Sequence, residues 1–424
     1  MPARGLVQLR RGAGRFPDRR LGQELAPARA AGMTAATTEA VRLTTPDGAA
    51  VAGLLRQPAG GAGTVVSIMH PREDVAHHPL VAPLLDLGVA VWTQGTRSPN
   101  NDVRLLHEQA LLDVAAGQSF LDDRGFEARV TLGHSGGATL FAFYQEQAAL
   151  AAGERLTDAP DGTPVDLSGA RMPLPDGAVF LAPHPGQGAL LQRVIDPSVL
   201  DESDPWTTDP TLDPYNPANG FRPAPEPSSY AAEFVERYRA AQAARVRRID
   251  ALAAAVLAET RHAGEVEGVP ARRRSLRPKV MAVYRTDADL RSVDLSLDSN
   301  ERPYGSLFGR RPDLGNFGFA GFGRITTPAA WMSTWSATTT RAAFVRNARG
   351  VAAPSLLIEL TGDQACFPAD ARQMYGALSA TDKKHVRVAG THFGGPLAPG
   401  QPTGAELSAR QIGRWLSERF PIRD

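Results

Sequence analysis

The stretch ARVTLGHSGGATLFAFYQEQAA, Ala128–Ala149, decides how the chain is read. Its first six residues are apolar and β-branched enough to predict a strand, and the residues after the glycines predict a helix. Between the two stands Gly133-His134-Ser135-Gly136-Gly137, a G-x-S-x-G pattern with a strand entering and a helix leaving. So sharp a turn forces Ser135 into a strained backbone conformation. Side chains two positions to either side would strike the strand or the helix, which explains Gly133 and Gly137. The serine hydroxyl then stands clear of the sheet. The Gly136 N–H opens the helix, where the dipole favours negative charge, so it is the expected donor to an oxyanion. The plainer reading of the same residues is a glycine-rich packing turn.

Strands and helices alternate on both sides of this turn. VRLTTPDGAAVAGLLRQP, starting at Val41, reads as two strands joined at Pro46-Asp47-Gly48. GTVVSIMH (63–70), VAVWTQGT and DGAVFLAPH (176–184) read as further strands, with helices at HHPLVAPLLDLG and LLHEQALLDVAAGQSFLDD. After a long break the pattern returns as APSLLIELTGD, ADARQMYGAL, HVRVAGTH and AELSARQIGRWLSERF. Such alternation predicts an α/β class fold, a doubly wound and mostly parallel sheet covered on both faces. Residues 41–185 and 341–424 form that core. Residues 186–340 are an insertion, expected to be a cap or lid. It opens with a proline- and aspartate-rich loop and contains a long helix near Tyr230–Arg261. There Phe234, Tyr238, Ala241, Arg245, Ile249, Leu252 and Val256 follow a three-to-four spacing, with Gly264 as the stop. Residues 1–40 have no period and are read as a disordered extension, with Met33 the expected native start.

A serine hydroxyl becomes a nucleophile when a base takes its proton. His392 is the expected base: it follows the last strand in Gly390-Thr391-His392-Phe393-Gly394-Gly395. Asp363, which closes the strand LLIEL in Thr361-Gly362-Asp363, is the expected acid, with Asp370 and Glu359 its rivals. Their chain order is Ser…Asp…His.

These residues and this layout resemble the α/β-hydrolase superfamily, through the elbow at Ser135, the acid at Asp363 and the histidine at His392. The resemblance implies a serine hydrolase that cleaves a carboxylic ester or lactone through an acyl-enzyme. It leaves an amidase, a carbon–carbon bond hydrolase or an acyltransferase open on the same residues. A ligand-binding receptor is the alternative of another class. In relatives the loop after the third strand gives a second oxyanion N–H. Here it reads His70-Pro71-Arg72-Glu73-Asp74, so the resemblance points to Arg72. His70, His134 and His184 are expected substrate contacts. No cofactor or metal is called for, and the Asp201–Asp213 acids read as turn formers rather than a calcium loop.

Composition narrows the rest. The formal net charge of +1 gives no pull toward nucleic acid or an anionic membrane. No apolar run reaches the ~18 residues that span a bilayer. The single cysteine, Cys366, forms no internal disulfide, and a cytoplasmic location is the plain expectation. Fourteen of the 28 aromatic residues fall between Trp206 and Trp335, which suggests a small-molecule substrate with a bulky apolar or aromatic acyl group. Oligomeric state is not legible.

Overall fold

Residues 36–276 and 279–422 are described by a computed structural model. Most of the extension expected at 1–40 lies outside them. Its last five residues do not: β1 spans Ala36–Thr44 and pairs antiparallel with β2 (Ala50–Pro58) along its whole length, from Ala36 opposite Pro58 to Thr44 opposite Ala50. The nine residues of β2 offer a ladder partner to each residue of β1, which carries the strand five residues further back than the sequence pattern suggested.

The apolar runs become β3 (Thr64–Met69), β4 (Ala90–Gln94), β5 (Ala128–His134) and β6 (Gly177–Leu181), each almost wholly buried. After the insertion, with its short antiparallel pair β7 (Met281–Ala282) and β8 (Ile325–Thr326), come β9 (Ser355–Leu360) and β10 (Lys383–Val388). The strand order is β1-β2-β4-β3-β5-β6-β9-β10. The ladders from β4 to β10 are parallel, and β1 and β2 are antiparallel at one edge. Parallel neighbours need crossovers, and helices supply them: α1 (Val81–Asp86), α2 (His107–Asp123) and α3 (Gly136–Ala149).

The two faces hold separate cores. Val66, Ile68, Val130, Val179 and Ile358 pack toward Leu84 of α1 and Ile412 and Trp415 of the C-terminal helix Gly404–Ser417. On the other face α2 and α3 meet through Leu111, Leu112, Phe141 and Tyr144. This double burial is why the central strands read as continuous apolar runs rather than alternating ones.

The insertion leaves after β6 and is closed at its neck, where the Phe344 N–H donates to the Pro185 carbonyl at 3.0 Å. It begins with α4 (Gln187–Val194) and is dominated by α5 (Ala232–Glu265). Phe234, Tyr238, Arg245 and Ile249 of α5 are buried as the spacing predicts. Toward the helix end the buried residue is Ala253, while Leu252 is exposed. Residues three and four after Ile249 lie on neighbouring faces of a 3.6-residue turn, and the inward face takes the four-residue step to Ala253. Most of the aromatic residues form the insertion's own two clusters, one around Trp331 and Trp335 and one around Tyr230, Phe234 and Tyr238. No helix among the described residues is long and apolar enough to cross a membrane.

Candidate active site

Ser135 sits at the carboxyl end of β5 with φ +55° and ψ −119°, a left-handed backbone that costs a non-glycine residue energy. The neighbouring glycines make the turn possible. A Cβ on Gly133 would lie 2.4 Å from the Ala138 nitrogen, and one on Gly137 would lie 2.3 Å from the Met69 oxygen. The Ser135 N–H is anchored to the Leu181 carbonyl of β6 at 3.0 Å. Its Oγ lies 3.0 Å from Nε2 of His392.

His392 reaches the elbow from the loop after β10. Its Nδ1 lies 2.9 Å from both carboxylate oxygens of Asp363, which is fully buried after β9. A carboxylate only accepts, so Nδ1 carries the ring proton and Nε2 is free to accept from the serine. Asp363 is itself fixed: its Oδ1 accepts from the N–H groups of Ala365 and Cys366 at 2.7 and 2.9 Å. Burial disfavours protonated His392, but the charge and hydrogen bond of Asp363 outweigh it and raise the pKa above 6.5. The three residues singled out in the sequence therefore meet. The rivals are engaged elsewhere: Glu359 pairs with His385 and Arg387, and Asp370 with Arg193 and Arg291. Burial pushes the Cys366 thiol up.

Two expected residues behave differently. The Arg72 N–H is not presented to Ser135. It donates to Nδ1 of His70 at 3.1 Å, because the His70 ring folds back over its own loop and also takes the Glu73 N–H at 2.9 Å. The Arg72 guanidinium is held by Asp102 at 2.6 and 2.7 Å and lies over the Trp335 ring. His134 does not line the cavity at Ser135. It points to the far side of the elbow, where Nε2 donates to the His392 main-chain oxygen at 2.8 Å and Nδ1 meets Nε2 of His78 at 3.2 Å. That acceptor fixes the whole relay. His134 holds its proton on Nε2, so its Nδ1 accepts from His78, whose own Nδ1 accepts the Leu80 N–H.

His70 and His184 do line the cavity, which measures about 270 Å3 and also borders Ser135, His392 and Gln187. Its apolar wall includes Leu190, Leu307, Phe308 and Phe322. Of the fourteen aromatic residues between Trp206 and Trp335, only Phe308 and Phe322 reach it, so the abundance of rings in the insertion does not describe the cavity. A larger cavity of about 500 Å3, lined by Val41, Leu54 and Thr93 among others, holds none of these polar groups. The acids from Asp201 to Asp213 cap turns, as where Asp201 accepts the Ser203 N–H and Asp209 the Thr211 N–H. Sequence reading missed Gln187 at the start of α4, His78 and His107, since no local pattern marks them.

The strand order, with the elbow between β5 and α3, is that of the α/β-hydrolase fold. No protein-family model matches the chain, and no curated protein matches it in sequence. Among solved structures it is similar to the esterase domain of a Rhodothermus marinus protein (12% identity, 90% of this chain and 99% of that one, TM-score 0.42). It is similar to DcsB in complex with its substrate analogue (11%, 90% and 100%, TM-score 0.48). It is also similar to an alpha/beta fold family hydrolase from Bacillus anthracis (11%, 90% and 99%, TM-score 0.40). The fold assignment itself stands on the strand order.

Proposed function

We propose that the protein is a serine hydrolase acting on a carboxylic ester or lactone. The observation that carries this reading is the 3.0 Å approach of His392 Nε2 to Ser135 Oγ, with Asp363 behind the imidazole. Ser135 attacks the carbonyl carbon while Nε2 takes its proton. Asp363 holds the tautomer and stabilises the imidazolium. The Gly136 N–H receives the oxyanion at the helix N-terminus. His392 then protonates the leaving alcohol, and water repeats the cycle on the acyl-enzyme.

The insertion acts as the cap. Arg72 packs beneath its Trp335, and Asn300 of the insertion donates to the Asp363 carbonyl oxygen at 2.8 Å, tying the cap to the acid loop. A cavity of this size with an apolar wall suits a small acyl group.

The test is labelling with a fluorophosphonate and hydrolysis of a panel of activated esters, lactones and anilides. Ester or lactone turnover, with labelling that disappears in Ser135→Ala, is the expected result. Turnover in Ser135→Ala at the wild-type level would remove Ser135 from the chemistry. Absence of both labelling and turnover in the folded wild type would favour a receptor.

A further inference from the structure

The diverted Arg72 N–H leaves the oxyanion site one donor short of the two that such sites ordinarily use. Three side chains crowd the space where the second would act. A Cβ placed on Gly136 would lie 2.3 Å from Nε2 of Gln187, 2.9 Å from Nε2 of His70 and 3.2 Å from Nε2 of His184. The three nitrogens thus ring the open side of the residue that follows Ser135, inside the cavity that Ser135 borders.

Their protonation follows from their other contacts. Nδ1 of His70 accepts the N–H groups of Arg72 and Glu73, and Nδ1 of His184 accepts the Gly186 N–H at 3.1 Å. A ring nitrogen that accepts from a backbone N–H carries no proton, so each imidazole holds its hydrogen on Nε2 and aims it at the cradle. Burial holds both rings neutral, well below the ordinary pKa. The Gln187 side chain is 2% exposed, and outside the cradle it interacts with the buried ring of His107. Its amide nitrogen lies beside Gly136 in the cavity that Ser135 borders, where it can donate to a ligand.

We propose that the oxyanion of this enzyme is held by side chains: the Nε2–H groups of His70 and His184 and the amide of Gln187, together with the Gly136 N–H. The inference rests on the hydrolase reading above. When Ser135 Oγ bonds to the carbonyl carbon, the π pair moves to the carbonyl oxygen and the serine proton moves to His392. The oxyanion takes no proton. It accepts hydrogen bonds from neutral donors that are already oriented, and returns its pair when the leaving alcohol departs. Gly136 is then required as glycine because any side chain there would fill the cradle.

Gln187→Met removes the amide from the cradle and keeps an unbranched side chain of similar length. With p-nitrophenyl acetate as substrate, we expect kcat to fall by roughly 10–10²-fold, KM to stay within about twofold, and Tm to change little. A residue that only supports the fold would lower kcat together with Tm. His184→Phe should cost about 10²-fold in kcat, and His184→Gln, which restores a donor near the Nε2 position, should recover part of it. Nitrogen-15 NMR of the free enzyme should show both histidines as neutral Nε2–H tautomers at neutral pH. A wild-type kcat in Gln187→Met, a kcat loss that tracks Tm, or an Nδ1–H tautomer at either histidine overturns the proposal. If His184→Phe fails to fold, Gln187→Met and the NMR tautomers decide it alone. Wild type that is labelled at Ser135 while these results fail sinks only the side-chain cradle. Wild type that is neither labelled nor active sinks the hydrolase reading and the cradle with it.

Discussion

Nε2 of His134 donates to the main-chain oxygen of His392 at 2.8 Å, so the second residue of the elbow holds the proposed base from behind. The two rings lie 5.3 Å apart, and His78 pins His134 in turn. The serine and its base are therefore joined twice, once through Oγ on the cavity side and once through this backbone contact. Position 134 has a structural task that the sequence pattern leaves unspecified.

His134→Phe keeps a ring but removes the donor, and leaves the His392 carbonyl unpaired. A lost hydrogen bond of this kind costs about 1–3 kcal/mol. The expected outcome is a fall of roughly tenfold in kcat/KM, since ~1.4 kcal/mol of base misplacement is one factor of ten. His134→Gln, which can offer an amide N–H to the same oxygen, should recover part of it. Equal, undiminished kcat/KM in both variants would mean that the contact does not position the base.

Asp363 raises the pKa of His392 above 6.5 against the opposing effect of burial. In the proposed mechanism His392 works as the unprotonated base, so kcat/KM should rise with pH through an apparent pKa above 6.5. Asp363→Asn removes the charge and allows the wrong tautomer. It should lower kcat by as much as about 10⁴-fold and shift the remaining acid limb to lower pH. A rate profile that stays flat from pH 5 to 9 would exclude His392 as the group that titrates.

The main elements of the fold were readable because each carries a local signature. The elbow is five consecutive residues, Asp363 follows the apolar strand β9, and His392 follows the more polar β10 in a glycine-bearing loop. A parallel sheet places the carboxyl ends of its strands along one edge, so those three positions converge from topology alone. What stayed hidden depends on side-chain direction. The sequence offers Arg72 as an N–H donor but does not reveal that the His70 ring turns back to take that N–H. Gln187 lies in an unremarkable Pro-Gly-Gln-Gly turn, and only the crossing of α4 over the elbow brings it to Gly136. The β7–β8 pair, two residues in each strand and far apart in sequence, is too short to have a period.

Gly137 shows how little room the elbow allows. An added methyl would sit 2.3 Å from the Met69 oxygen, and that oxygen belongs to the backbone of β3, which cannot swing aside. Gly137→Ala should destabilise the protein by about 1–3 kcal/mol or more, as overpacking does. It should also pull α3 away from β3 and displace the Ser135 hydroxyl. Denaturant unfolding and fluorophosphonate labelling would register the two effects separately. A Gly137→Ala protein with native stability and native labelling would contradict the close packing of α3 on β3.

Five histidines, three buried and two half-buried, set the response of stability to acid. Burial lowers His78 and His107 to about 4 and His134 to about 3, and takes His70 and His184 well below 6.5. Below pH 6.5 the unfolded chain binds protons at these sites and the folded chain refuses them, so stability falls as pH falls. Three buried carboxyls act in the opposite sense. Burial raises Glu108 to about 7 and Asp113 and Asp287 to about 6, so the folded chain keeps protons there that the unfolded chain gives up above about pH 4.5. The stabilisation from His392, whose pKa is raised, is present below 6.5 and is lost only above it, outside this range. Burial raises Asp213 in the same sense, and the histidines outweigh these carboxyls, so the unfolded chain binds the more protons between about pH 4.5 and 6.5 and stability rises with pH across that range. Urea unfolding followed across that range should show stability rising steadily toward neutral pH, and a curve that is level or rises toward acid would mean that these imidazoles are charged in the folded protein.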